Sequence, residues 1–330
     1  MKSKKVLRKK QALAAAAGLA LVLLAGCGSN ASNSNQASTA PIDTQNSAKK
    51  LNVVTTFYPM YEFSKQVAGD HADVIALIPP GAEPHDWEPS AKDMGMVKEA
   101  DIFVYNGIVE GWVDKALESA ANDNRVVVEA SKGIQLMEGL PEEEEGGEHH
   151  GEADEAVLDP HVWLDPVLAE QEVASIQAAF EQADPANKED YKKNAEAYIA
   201  KLKELDEAYQ SGLRDVKHRD FVTQHAAFGY LAKEYGIIQV PIAGLSPEQE
   251  PSPDEMAEII KFAKANQVKT IFFETLADPK VAETVANEIG AKTDVLNPIE
   301  GLTDEDKKNN LDYIGIMKSN LEALKQALNE

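Results

Sequence analysis

The chain has 330 residues, 43% of them hydrophobic and 27% charged, a composition that builds packed globular structure and a length that accommodates two ordinary domains. Its formal net charge is −24, and about −30 once the basic residues Lys2, Lys4, Lys5, Arg8, Lys9 and Lys10 are set aside. So acidic a surface repels phosphate backbones and excludes nucleic acid as a natural partner, while it gathers cations.

The N-terminus reads as a targeting segment. Residues 1–10 are basic without an acid, Ala12–Leu24 is an apolar run too short to span a bilayer, and Leu24-Ala25-Gly26-Cys27 puts small residues directly before a thiol. This is a secretory signal over 1–26 in its lipobox variant, with Cys27 acylated as the new N-terminus. It predicts a protein outside the cytoplasm, tethered to the lipid bilayer as a Gram-positive type surface lipoprotein. Cys27 is the sole cysteine, so the mature chain offers no disulfide and no thiolate ligand. The Ser-, Asn- and Ala-rich stretch 27–50 holds nothing to bury and is predicted to be a disordered tether.

Folded structure is predicted over 51–183 as a first α/β lobe. Strands are expected at Leu51–Thr56, Asp73–Ile78, Ile102–Tyr105 and Arg125–Glu129, and helices at Met60–Ala68, Ala91–Ala100 and Trp112–Ala121. Short apolar runs alternating with helical patterns indicate βα units around a mainly parallel sheet. Residues 142–156 break that rhythm with four consecutive glutamates and the pair His149-His150. They form a solvated loop, either a plain spacer or an accessory, weakly cation-capturing one.

A helix is predicted over Leu168–Gln182. In 184–217, Tyr191, Ala195, Tyr198, Leu202, Leu205, Tyr209, Leu213 and Val216 recur at steps of mostly three or four. They mark one apolar stripe on a helix of roughly 30 residues, about 45 Å long, which reads as a rigid strut between domains. The second lobe, 218–330, repeats the βα rhythm. Its strands are predicted at Phe221–Thr223, Ile237–Val240, Val268–Phe273 and Thr293–Leu296. Its helices are predicted at Ala226–Tyr235, Pro253–Ala265 with Ser252 as N-cap, Asp278–Ile289 and Asp304–Leu328.

Metal-capable side chains follow several of these strands. His85 lies beyond Asp73–Ile78, His225 beyond Phe221–Thr223, and Glu300 beyond Thr293–Leu296, where open α/β sheets place their ligand crevice. His161, framed by prolines in Asp159-Pro160-His161-Val162-Trp163-Leu164-Asp165-Pro166, reaches the same cleft. Two ligands thus come from each lobe. Three imidazoles and a carboxylate suit Zn²⁺ in tetrahedral array, whereas Mn²⁺ draws further carboxylates and a higher coordination number. Asp86, Asp159 and Asp165 either orient imidazoles or cap turns; Trp87 and Trp163 read as packing anchors, and His71 and His218 as exposed.

The segments Gly-Ala-Glu-Pro-His85-Asp-Trp-Glu-Pro-Ser, Asp-Pro-His161-Val-Trp-Leu-Asp-Pro, Phe-Val-Thr-Gln-His225-Ala-Ala-Phe-Gly-Tyr and Leu-Asn-Pro-Ile-Glu300-Gly-Leu resemble the signature segments of the metal-binding lipoproteins of bacterial ABC importers. The zinc-uptake (ZnuA-type) branch is the nearest, over Leu51 to the C-terminus. The resemblance implies two α/β lobes joined by a rigid helix, metal bound between them by His85, His161 and His225, and a membrane permease as partner of a monomeric receptor. The manganese branch typically has Glu at the third position and Asp at the fourth; here His225 fills the third, and the acidic loop before His161 is a zinc-branch trait. Glu300 is the expected fourth ligand, with Glu83 and Glu274 as alternatives. Two other readings are a Mn²⁺ receptor and, from a different class, a surface zinc hydrolase, for which no His-Glu-x-x-His arrangement is present; adhesion to host molecules rests on surface tethering alone.

Overall fold

The computed structural model describes residues 49–139 and 157–330. The signal segment, Cys27, the tether up to residue 48, and the acidic loop with His149 and His150 lie outside the described residues. Strands β1 (Leu51–Thr55), β2 (Ala72–Ala76), β3 (Ile102–Tyr105) and β4 (Val126–Glu129) form a parallel sheet ordered β2-β1-β3-β4. Strands β5 (Asp220–Thr223), β6 (Ile238–Pro241), β7 (Thr270–Phe273) and β8 (Lys292–Val295) form a second parallel sheet in the equivalent order, β6-β5-β7-β8. The helices are α1 (Tyr58–Ala68), α2 (Ala91–Glu99), α3 (Val113–Ser119), α4 (Pro166–Ala183), α5 (Lys188–Leu213), α6 (Gly229–Tyr235), α7 (Pro253–Ala265), α8 (Lys280–Ile289), α9 (Asp304–Lys308) and α10 (Tyr313–Ala327). This is the two-lobed α/β architecture that the alternating pattern predicts.

Both sheets are covered on two faces, which is why their strands read as continuous apolar runs. Successive side chains alternate between the faces. Val54 and Phe103 pack outward under α2 and α3, and Val222 and Ile271 outward under α7 and α8. Val53, Ile102 and Val104 of the first sheet and Phe221 and Phe272 of the second belong instead to one apolar core, continuous through α1, α4, α5, α6 and α10.

Several boundaries differ from the predicted ones, each for a local reason. Helix α1 begins at Tyr58, because Pro59 in a first turn forfeits no helical bond. Helix α5 has 26 residues, about 39 Å, rather than the roughly 30 suggested by its stripe. A 3₁₀ turn at Pro185–Asn187 precedes it, and the Arg219 guanidinium closes its far end by donating to the carbonyls of Leu213 (3.0 Å) and Arg214 (2.7 Å). Nor is it a free-standing strut: its stripe is buried against α1, α4 and α10. Helix α6 starts at Gly229 rather than Ala226; the preceding turn is tied to the second sheet's flank, with the Ala226 N–H on the Gly244 carbonyl and the Phe228 N–H on Gln239 Oε1. Helix α8 starts late, after Asp278 Oδ1 accepts the Lys280 N–H. The last helix divides in two. Asn310 takes φ +53°, and Asp312 opens α10 by accepting the Gly315 N–H at 2.8 Å. Ser252 caps α7 as predicted, in a reciprocal box with Glu255.

Leu202, fully buried on α5, is expected to cost about 2–5 kcal/mol when changed to Ala, through lost transfer energy plus the cavity left behind. Ile238→Ala on edge strand β6, where the side chain is 55% exposed, should stay within about 0.5 kcal/mol. Urea unfolding of the two variants measures the contrast.

Candidate metal centre

Each of four side chains is aimed by its own local device. After β2, backbone pairing continues from Leu77 and Ile78 to the carbonyls of Thr55 and Thr56. The chain then turns at Pro79-Pro80-Gly81, where Gly81 has φ +83°. Glu83 Oε2 accepts the His85 N–H at 2.9 Å and fixes that loop. At His161, Asp159 Oδ1 accepts both the backbone N–H (2.9 Å) and ring Nδ1–H (2.8 Å). Val162–Leu164 then forms a 3₁₀ turn, and Asp165 caps α4 through the Val167 N–H.

After β5, the His225 carbonyl accepts from the Thr223 hydroxyl and from the Gln239 amide. Glu274, which follows β7, accepts the His225 N–H at 3.1 Å and its Nδ1–H. Glu300 follows β8 on a segment pinned by side-chain amides: Asn297 Oδ1 accepts the Ile299 N–H, and Asn320 both donates to and accepts from the Asn297 backbone. Ile299 has φ +60°, a left-handed conformation that a β-branched residue adopts only under external constraint.

These devices bring His85, His161, His225 and Glu300 together, with one potential ligand atom from each all within 4.8 Å of one another. Glu300 Oε1 lies 3.1 Å from His85 Nε2, 3.5 Å from His161 Nε2 and 3.6 Å from His225 Nε2; the two Nε2 atoms of His161 and His225 are 3.4 Å apart. A tetrahedral ion with bonds of about 2.0–2.2 Å separates its ligands by roughly 3.3–3.6 Å. Four of the six separations in the cluster are therefore within about 0.2 Å of those in a tetrahedral coordination sphere. His161, His225 and Glu300 are at most 1% exposed, and the His85 side chain is 11% exposed.

The other sequence candidates fall elsewhere. Glu274 does not join the four; it sits behind His225 and holds the ring nitrogen that faces away from them. Glu83 Oε1 stands 4.0 Å from His85 Nε2, also outside the group. Asp159 orients an imidazole, whereas Asp165 caps a helix. Trp163 is buried, lies with its ring centroid 5.1 Å from that of His161 at a tilt of 54°, and donates to the Pro298 carbonyl, so it also ties the His161 turn to the Glu300 segment. His218 is exposed, but His71 is only partly so, since Asp190 of α5 reaches it at 2.9 Å. Glu274's carboxylate–imidazole role could have been suspected from its place just beyond a strand end, as for His225 and Glu300.

Charge is finely opposed in this dry space. Burial would raise the Glu300 carboxyl, but bonds from His161, His225 and His85 outweigh it and hold the group well below the ordinary value. Burial likewise disfavours imidazolium, yet Glu274, aided by Glu300, lifts His225 to about 10. Asp159 and Glu300 lift His161 in the same direction against the same burial. Glu83 is pushed up to about 8 by burial and by the Glu300 charge. Because Asp159 and Glu274 accept from Nδ1, it is Nε2 of His161 and His225 that gives up its proton, and so frees its lone pair, when a cation enters.

Comparison with known proteins gives a consistent picture. The family model described as "Zinc-uptake complex component A periplasmic" (ZnuA) matches residues 53–327. The chain is 51% identical over 308 residues to the high-affinity zinc uptake system protein ZnuA of Bacillus subtilis, covering 93% of this chain and 94% of that protein. It is 49% identical over 283 residues to the zinc-binding lipoprotein AdcA of Streptococcus pneumoniae, covering 85% of this chain but 56% of that longer protein. The crystal structure of the Zn(II)-bound ZnuA-like domain of the same streptococcal protein superposes with a TM-score of 0.72 at 47% identity, over 86% of this chain and all of that one.

Two outcomes follow from the electrostatics. A divalent ion must displace the protons held by His225 and His161, so affinity should rise with pH through neutrality toward about 10, not level off just above the ordinary imidazole value of about 6.5. Calorimetry at pH 7 in two buffers of different ionisation enthalpy should read about one proton or more released per ion; zero release would contradict the charge assignment. Glu274→Ala, which strips His225 Nδ1 of its acceptor, should weaken ion binding roughly 10- to 100-fold, as read by competition with a chromophoric chelator.

Proposed function

Because the chain belongs to the ZnuA family of zinc-uptake components, we propose that it captures Zn²⁺ outside the cytoplasm and delivers it to the membrane permease of an ABC importer. What supports this reading above all is the meeting of three Nε2 atoms and one carboxylate oxygen, drawn from both halves of the chain, with Glu300 Oε1 3.1–3.6 Å from all three nitrogens and the His161 and His225 nitrogens 3.4 Å apart, close to the ligand separations of a tetrahedral zinc ion. His85, His161, His225 and Glu300 are the ligands of the cargo ion. Asp159 and Glu274 set the tautomers of His161 and His225, and their negative charge offsets that of the ion. The chemistry is ligand exchange: protons leave the imidazoles as the ion enters, and no bond in a substrate is broken.

A shell of nitrogen and one carboxylate favours Zn²⁺ over Mn²⁺, which draws more oxygen. Four protein ligands also close the position that a water nucleophile would need, so the receptor reading outranks the hydrolase. Residues 1–26 direct export, Cys27 carries the lipid that holds the protein at the membrane, and the chain acts as a monomer. Among the described residues, no helix is long and apolar enough to cross a membrane. The acidic stretch 142–156, with His149 and His150, serves as an accessory, weakly cation-capturing segment.

The test is to strip the mature protein of metal and titrate Zn²⁺ and Mn²⁺ into wild type, His85→Ala, His161→Ala, His225→Ala and Glu300→Ala. Each substitution should weaken Zn²⁺ binding at least tenfold. Undiminished affinity in all three histidine variants would end the shared-site reading, and tight Mn²⁺ with weak Zn²⁺ would make the protein a manganese receptor.

A further inference from the structure

Away from the four ligands, a second group of buried acids gathers just beyond the ends of β1 and β3. Asn106 and Glu172 are fully buried, and Glu110 is 2% exposed. Glu110 is well supplied with donors. Its Oε1 accepts the Thr56 hydroxyl (2.5 Å) and the Asn106 N–H (2.9 Å), and its Oε2 accepts the Gly107 N–H (3.1 Å). Glu172, projecting from α4, receives a single bond, from Asn106 Nδ2 to Oε1 at 3.3 Å. Its other oxygen, Oε2, and the amide oxygen of the same Asn106 are both buried without a partner.

Those two orphaned atoms belong to side chains already joined by one hydrogen bond. Were Glu172 ionised, both orphaned atoms would be acceptors left without a donor in a dry site beside the Glu110 carboxyl, which burial also raises, and neither desolvated group would be compensated. The groups facing Glu172 are Asn106 and Glu110 from the segment after β3 and the Tyr313 hydroxyl from α10, which is committed to the Trp163 carbonyl at 2.5 Å. None is a cation. A carboxylic acid resolves the conflict, because an acid and a primary amide form a closed pair: N–H to one acid oxygen, and acid O–H to the amide oxygen.

We propose that Glu172 is a neutral carboxylic acid in the native protein, donating its Oε2 proton to Asn106 Oδ1, so that one proton fastens α4 to the first sheet. Burial pushes this carboxyl up to about 8, with the Glu110 charge acting in the same direction and the Asn106 bond opposing. The fastening is independent of the metal-binding reading. It bears on that site only through α4, which begins directly after the turn that carries His161.

The sign of the pH effect is fixed by the native group holding its proton more tightly than the unfolded one, whose ordinary value is 4.5. The stabilisation is whole below about 4.5, declines as pH rises, and is gone above about 8. Glu172→Gln preserves an amide–amide pair and does not titrate. The infrared difference spectrum of wild type minus Glu172→Gln at pH 7 should show a protonated-carboxyl stretch and no carboxylate band. In urea unfolding between about pH 5 and 8, the unfolding constant of wild type relative to Glu172→Gln should climb roughly tenfold per pH unit. Glu172→Met serves as a second non-titrating reference and should give the same slope. A carboxylate band in the difference spectrum, or a ratio that stays constant with pH against both variants, would overturn the assignment.

Discussion

One oxygen atom organises this molecule. Glu300 Oε1 stands within 3.1–3.6 Å of three imidazole nitrogens at a depth where an unpaired charge would be very costly. Much of the surrounding architecture serves to hold that convergence. Ile299 is kept in a left-handed conformation to turn the segment, Asn297 and Asn320 satisfy its backbone, and Trp163 ties it to the turn bearing His161. The two parallel sheets contribute because their strand ends open toward the same place.

The three histidines are not held alike. In His161 and His225 a single carboxylate oxygen accepts both the backbone N–H and the far ring nitrogen, so ring and chain are fixed together. His85 has only its backbone so anchored, by Glu83, whose second oxygen is buried without a partner. Two imidazoles thus arrive with orientation and tautomer set by the protein, and the third by its loop.

Much of this was legible in the sequence because it rests on local rules. Apolar runs of four to six residues alternating with helical stripes are enough to give doubly covered parallel sheets, and the stripe from Tyr191 to Leu213 buries as its spacing requires. Three of the four ligand candidates, His85, His225 and Glu300, stand out because they follow strands, and His161 because prolines frame it on both sides. What the sequence could not reveal depends on residues brought in from a distance. Helix α5 is closed by Arg219 folding back on its last carbonyls, and the break between α9 and α10 hinges on the left-handed Asn310. Glu274 was placed among possible ligands because its chemistry permits either role. Only the distance across from β7 to β5 assigns it to the rear of an imidazole.

The apolar interior that runs unbroken from one sheet to the other has a kinetic consequence. Parting the two halves would wet a surface whose burial contributes roughly 25 cal/mol per Å², so swinging the lobes apart is an expensive way to free a bound ion. Brief excursions of the short segments that follow the strands expose far less. The cheaper route for a captured ion to leave is therefore local opening of those segments, with the interior kept closed.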